Sequence, residues 1–245
     1  MPHPYDLVDR IGTGATLGLI VLQTDETLEQ EFRQIFTARD VAFYTARVPS
    51  GADVTTETLG AMEFEIPQAA ALLPPSLSYD SVAYCCTSGA TVIGPDTVSQ
   101  LVQGACDVAH VTNPLTAVIA ALNALKVKRL GLLTPYIESV TAPMRDALCQ
   151  HGFTVTNCVS FEEAEEAKVA RIAPDSIAQA ALVAGQGDVD AVFLSCTNLR
   201  TLDVIDDIEA TLGKPVISSN QALAWHMAQL SGIAPDLPVG RLMRG

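Results

Sequence analysis

Aromatic residues are scarce in this 245-residue chain, at 5% with a single Trp, and charged residues reach 17% against 49% hydrophobic. That balance excludes a disordered chain and calls for a core of tightly packed Ala, Val, Leu and Ile layers. Positive charge is the scarcer sign: 14 Lys and Arg stand against 28 Asp and Glu, a net charge of −14. Such a surface repels a phosphate backbone and an anionic bilayer, so neither nucleic acid nor membrane is expected as a partner. No stretch approaches the roughly 18 uninterrupted apolar residues that a spanning helix needs. The opening MPHPYDLVDR carries two acids and no apolar segment, unlike a secretory leader, and the chain reads as cytoplasmic.

Signals for metals and cofactors are missing too. The six cysteines, Cys85, Cys86, Cys106, Cys149, Cys158 and Cys196, contain no CxxC pair, and His3, His110, His151 and His226 show no paired spacing. Neither a disulfide framework nor a metal site is expected. Gly12-Thr13-Gly14 lies before the first strand, the wrong side for a dinucleotide, and none of the four lysines, at 126, 128, 168 and 214, lies in a pyridoxal setting. No cofactor is expected. Cys106, Cys149 and Cys158 read as small buried hydrophobes.

What is present is alternation. Short β-branched runs at 17–22, 41–46, 80–85, 106–112, 129–134, 154–159, 190–195 and 215–218 are separated by helical patterns at 25–38, 57–73, 114–126, 138–151, 175–186, 201–212 and 221–231. Strand followed by helix, repeated, predicts parallel sheets covered on both faces. The order also repeats. Leu17-Gly18-Leu19 returns as Leu130-Gly131-Leu132 (131 − 18 = 113), Cys86-Thr87-Ser88 as Cys196-Thr197-Asn198 (196 − 86 = 110), and Thr112-Asn113 as Ser219-Asn220 (220 − 113 = 107). Three landmarks at nearly one offset predict a duplicated unit. The expected fold is therefore α/β, with two Rossmann-like halves related by a pseudo-two-fold axis and the active site in the cleft between them. One half takes 1–112 plus 219–245, the other 113–218.

Two motifs carry chemistry. Tyr84-Cys85-Cys86-Thr87-Ser88-Gly89 and Leu194-Ser195-Cys196-Thr197-Asn198-Leu199-Arg200-Thr201 each put a cysteine where a strand gives way to small polar residues. A thiol at a helix start is expected to have its pKa lowered by backbone N–H groups and the helix dipole. Thr87 and Ser88 suit a substrate carboxylate there. Alternation along the strand places Cys85 in the core. A thiolate and a thiol approaching one carbon from opposite faces can remove and return a proton; one thiolate can instead add to a double bond and allow rotation. Asn220 suits either a helix cap or the geometry between the halves, and Trp225 and His226 read as packing residues. The acidic run 162–166 reads as a solvated loop or helix start.

Together with the strand LGLIVLQTDET, Leu133-Thr134-Pro135-Tyr136, and Pro215-Val216-Ile217-Ser218-Ser219-Asn220 with Ala224-Trp225, these motifs resemble the maleate isomerase and arylmalonate decarboxylase branch of the aspartate/glutamate racemase superfamily over roughly 15–235. The resemblance implies Cys86 and Cys196 as the catalytic pair. It implies Tyr136, Thr87, Ser88 and Thr197 as carboxylate ligands, with Asn198 in the same motif. It implies homo-oligomers, a homodimer or larger. The decarboxylases of the branch keep only the second cysteine, so two cysteines point to an isomerase or racemase.

Asp25 and Glu166 depart from the branch, standing where maleate isomerases have asparagines, and at ~4 Å with an effective dielectric near 20 a like-charge contact costs roughly 4 kcal/mol. Asp25 therefore suits a substrate ammonium or amide, as in an amino-acid derivative, or an N-cap at the helix near Glu26. The pattern is also similar to the ectoine-utilisation subgroup. The expected activity is a cofactor-independent racemase or isomerase acting on a small carboxylate. Maleate isomerisation, arylmalonate-type decarboxylation and non-catalytic small-molecule binding are the alternatives.

Overall fold

The structure is a computed structural model that describes Met1–Gly245. Its first half runs β1 (Ala15–Leu22), α1 (Leu28–Ile35), β2 (Val41–Val48), α2 (Thr56–Ala61), α3 (Ile66–Ala70), β3 (Tyr79–Cys85), α4 (Thr87–Ile93), α5 (Pro95–Gln103), β4 (Val108–Thr112) and α6 (Pro114–Ala124). The second runs β5 (Arg129–Thr134), α7 (Glu138–Gln150), β6 (Thr154–Ser160), α8 (Glu166–Val169), α9 (Pro174–Ala184), β7 (Ala191–Leu194), α10 (Ile205–Leu212), β8 (Val216–Ser218), α11 (Ser219–Ser231) and α12 (Gly240–Arg244).

Each half holds a four-stranded sheet, ordered β2-β1-β3-β4 and β6-β5-β7-β8, with every strand pair parallel. The two orders are the same order. β1 and β7 are buried along their whole length, which is why they read as unbroken apolar runs rather than alternating ones. The expected doubly wound, duplicated architecture is present.

The duplicated glycines have packing reasons. A Cβ on Gly18 would lie 2.8 Å from Val82 Cγ2, and one on Gly131 would lie 2.1 Å from the carbonyl oxygen of Ala184, so α9 rests directly on the backbone of β5. The third landmark corresponds differently from its sequence match. Asn113 caps α6 by accepting from Thr116 N at 3.0 Å, but α11 is capped by Ser218, in a reciprocal pair with Gln221. The caps are equivalent (218 − 113 = 105); Asn220 lies inside the helix.

The helical pattern at 57–73 is broken into α2, a 3₁₀ turn at Met62–Phe64 and α3. Pro67 is accommodated in the first turn of α3, where its missing N–H costs nothing. Helices α4 and α5 were not expected from periodicity, because Thr87-Ser88-Gly89-Ala90-Thr91-Val92-Ile93-Gly94-Pro95 is short, poor in strong helix formers and interrupted by Gly-Pro. Chain crossings tie the two sheets together: α6, which follows the first sheet, packs beside α11 and touches β8, and α11, which follows the second sheet, lies on β3 and β4.

The minor cysteines differ from expectation. Cys106 is half-buried, and Cys149 and Cys158 are exposed, because α7 turns Cys149 to solvent and Cys158 is on β6, an edge strand whose outer side chains are solvated. Cys85 is fully buried. Trp225 and His226 are half-buried on α11, with His226 Nδ1 2.8 Å from Thr112 Oγ1. No helix is long and apolar enough to cross a membrane.

Two glycine substitutions test this packing with opposite signs. Gly131→Ala drives a methyl group into the Ala184 carbonyl and is expected to cost about 3 kcal/mol or more in urea denaturation. Gly60→Ala on α2, whose Cβ would meet only Val92 at 3.9 Å, is expected to stabilise by roughly 0.5–1 kcal/mol.

Candidate active site

The carboxyl ends of the central strands converge from both sheets. Asp25 follows β1, and its Oδ1 accepts the N–H groups of Thr27 and Leu28 at 2.9 Å, fixing the start of α1. Its Oδ2 is buried with no hydrogen-bond partner. Asp25 is thus a cap with one oxygen to spare.

Cys86 follows β3 as the N-cap of α4, its sulfur accepting from Gly89 N at 3.1 Å. Gly89 is needed for that approach, since a Cβ there would lie 2.5 Å from Tyr84 Oη and 3.0 Å from Cys86 Sγ. Cys196 follows β7 but lies in a loop, without the helix start expected from the repeat; its sulfur accepts from Asn198 N at 3.2 Å. One hydroxyl fastens both motifs. Ser219 Oγ, at the start of α11, accepts from Thr87 Oγ1 at 2.9 Å and from Cys196 N at 3.1 Å.

Tyr136 and Glu166 close the site from the second half. Tyr136 Oη donates to Glu166 Oε1 at 2.7 Å and lies 3.0 Å from Cys196 Sγ. Glu166 Oε2 accepts from Asn198 Nδ2 at 2.8 Å, and Asn198 Oδ1 accepts from Glu26 N at 2.8 Å, joining second half to first. Glu166 heads α8 and is buried, unlike Glu162 and Glu165 in the same run, which are exposed. Above it, Val54 N donates to Ala164 O at 2.9 Å and Glu166 N to Ala52 O at 3.1 Å, so the loops after β2 and β6 meet over the pocket.

All nine residues singled out from the sequence, Asp25, Cys86, Thr87, Ser88, Tyr136, Glu166, Cys196, Thr197 and Asn198, line one enclosed pocket, joined only by Leu22. Its free centre, about 10 Å³, holds about one water. It contains two carboxylates and two thiols, and no Lys, Arg or His. No cluster of three or more His, Cys, Asp or Glu is arranged to hold a metal ion.

Burial governs the electrostatics. The Cys86 thiol is pushed up to about 12 by burial, and the Gly89 N–H that lowers it is outweighed. The helix start was expected to favour a thiolate; the surrounding apolar packing reverses the sign. Cys196 is held well above its ordinary value, first by burial and then by the Glu166 charge. Burial also raises Asp25 and Glu166. In this closed pocket both thiols are neutral.

One group behind the site was missed in the sequence. Glu31 on α1 accepts from Thr201 N at 2.8 Å, Leu202 N at 2.9 Å and Asn220 Nδ2 at 2.8 Å, and Asn220 Nδ2 also donates to Thr197 O at 2.8 Å. Of the two roles open to Asn220, the structure gives it the one between the halves. The signal for Glu31 was legible: it falls on the apolar stripe Leu28, Phe32, Ile35, where an acid must find partners.

Comparison with known proteins gives one consistent picture. A family model for arylmalonate decarboxylase matches residues 17–242. The chain is 27% identical to a maleate isomerase of Pseudomonas putida over 94% of its length and 97% of the relative's. It is 34% identical to an arylmalonate decarboxylase of Bordetella bronchiseptica over 49% of its length and 51% of the relative's. Among solved structures, a liganded double mutant of arylmalonate decarboxylase superposes with a TM-score of 0.84 at 26% identity, covering 94% of this chain and 98% of that one.

The Glu31 junction yields a pH dependence. Burial outweighs its three N–H donors and pushes the carboxyl from the ordinary 4.5 to about 7. The fold therefore holds this proton more tightly than the unfolded chain, so the stability it contributes is complete below about pH 4.5 and is lost as pH rises through about 7. Urea denaturation across that window should show the difference between wild type and Glu31→Gln shrinking by roughly 3 kcal/mol; a constant difference would mean that Glu31 is ionised in the fold.

Proposed function

The chain belongs to the arylmalonate decarboxylase family, and on that footing we propose that it is a cofactor-independent isomerase that inverts the α-carbon of a small, amino-acid-derived carboxylate. Cys86 and Cys196 are its two acid–base groups. The observation that carries this reading is that both thiols line one enclosed pocket, each at the carboxyl end of a central strand of its own sheet. One sulfur takes the α-proton, and the other delivers a proton to the opposite face.

The lining supports a particular substrate charge. With no basic side chain in the pocket, the substrate carboxylate is held by neutral donors, for which Ser88, Thr87, Thr197 and Tyr136 are the candidates. The unpartnered Asp25 Oδ2 faces an ammonium or amide, and Glu166 adds a second negative charge. A zwitterion suits this lining better than a dianion, whose extra charge would meet two carboxylates at roughly 4 kcal/mol per ~4 Å contact. An acetylated diamino acid of the kind handled by the ectoine-utilisation subgroup has this character. We place the enzyme in the cytoplasm, where its six thiols stay reduced, as a homodimer or larger homo-oligomer.

A second reading is favoured by the 27% identity to a maleate isomerase across 94% of the chain. There one thiolate adds to the double bond of a cis-dicarboxylate, the new single bond rotates, and elimination releases the trans product. Proton NMR in D₂O separates the readings, using maleate, aspartate, glutamate and N-acetylated diamino acids. Deuterium uptake at an α-carbon is expected, and Cys86→Ala and Cys196→Ala are each expected to slow it by at least ~10²-fold. Fumarate formed from maleate would favour the second reading. Decarboxylation that needs Cys196 alone would overturn both.

A further inference from the structure

The two thiols are not equivalent in what can receive their protons. Tyr136 Oη donates its one proton to Glu166 Oε1 at 2.7 Å, an ionised carboxylate being an acceptor only. The 3.0 Å contact with Cys196 Sγ is then a hydrogen bond in which the thiol donates to the tyrosine oxygen. Thiol, phenol and carboxylate form an unbroken row with every proton pointing toward Glu166. All three groups are at least 95% buried, and the pocket has room for about one water.

Cys86 has no such row. Its sulfur accepts from Gly89 N, and the neighbouring Tyr84 hydroxyl donates to Met62 Sδ at 3.5 Å, which leads to no carboxylate.

We propose that Glu166 is the proton acceptor that converts Cys196 to its thiolate through the Tyr136 hydroxyl, so that Cys196 rather than Cys86 begins a turnover as the base. The S–H bond of Cys196 breaks as an O–H bond forms at Tyr136 Oη, and the original Tyr136 proton passes to Glu166 Oε1. Thiol and carboxylate become thiolate and carboxylic acid; tyrosine ends neutral, and the net charge is unchanged. Glu166 acts only through Tyr136 and is a positioning residue for the proton. The inference rests on the reading of Cys196 as an acid–base group.

Electrostatics fit this transfer. Burial holds the Cys196 thiol far above its ordinary value, so thiolate formation by loss of a proton to bulk water is suppressed, whereas moving the proton within the row creates no new charge. Burial raises Glu166 as well, so this carboxylate takes up a proton more readily than an exposed one. Asn198 Nδ2, on Glu166 Oε2 at 2.8 Å, leaves Oε1 to face the tyrosine. The other titratable groups around Cys196 are Asp25 and Cys86, and neither has a hydrogen bond to its sulfur.

The test uses iodoacetamide on the full chain, with site-resolved mass spectrometry of Cys196 and Cys86 between about pH 7 and 9. When one proton is shared within the row, the thiolate fraction of Cys196 does not depend on pH. Its alkylation rate in the wild type is therefore expected to be flat, while that of Cys86 rises about tenfold per pH unit.

In Glu166→Gln and in Tyr136→Phe the Cys196 rate should fall by at least ~10-fold at pH 7 and acquire the tenfold slope. A Cys86 profile that keeps its tenfold slope reports an intact fold; its level rises in Glu166→Gln, because the Glu166 charge opposes the Cys86 thiolate too. If Glu166 were merely a fixed negative charge, the wild-type Cys196 rate would already climb with pH, and Glu166→Gln would accelerate it by removing a charge that opposes the thiolate. That result overturns the proposal. Because alkylation needs no substrate, its outcome is separate from that of the deuterium-exchange experiment.

Discussion

Glu31 stands buried on α1 of the first half, and its N–H partners are Thr201, Leu202 and Asn220, the first two in the loop that carries the second cysteine motif. A buried carboxylate left without such donors costs several kcal/mol, so the two halves cannot separate here without exposing a large penalty. Asn220 passes the constraint to Thr197 O, and Ser219, the preceding residue, holds Thr87 Oγ1 and Cys196 N with one oxygen. The relative position of the two sulfurs follows from this junction. Neither sheet could set it alone.

The same burial sets the chemistry. A thiol in water near a helix start is easily ionised, but here apolar packing and two nearby carboxylates hold both sulfurs neutral. An enclosed pocket with acids, thiols and no bases favours reactions in which charge moves within the site over reactions that bring it in. A row of hydrogen bonds ending on a carboxylate answers that need for Cys196. Asp25, with one oxygen anchoring α1 and the other unpartnered, is the complementary feature on which the proposed substrate charge rests.

Family membership and site geometry constrain each other. The chain is similar both to a maleate isomerase and to an arylmalonate decarboxylase, so similarity leaves the reaction open. Two cysteines and the carboxylates of Asp25 and Glu166 line this pocket without a basic side chain, and they direct the proposed substrate toward a zwitterion.

Composition and periodicity were enough for the architecture, because parallel strands buried on both faces read as apolar runs, and every strand expected from them is present. The cysteine motifs were visible because strands that end in small polar residues are uncommon inside an apolar pattern. Periodicity showed neither α4 nor α5, since Thr87-Ser88-Gly89 has weak helix propensity; the start of α4 was legible only from the strand end at Cys86, which is its N-cap.

Glu31 was overlooked although its place on an apolar stripe marked it. Cys149 and Cys158 were misread because nothing in a single sequence distinguishes a cysteine on a solvated face from one in the core. The sequence by itself determined which residues could do the chemistry. Their protonation and the asymmetry between Cys86 and Cys196 were decided by tertiary structure, because these depend on burial and on hydrogen bonds between groups 30 to 189 residues apart.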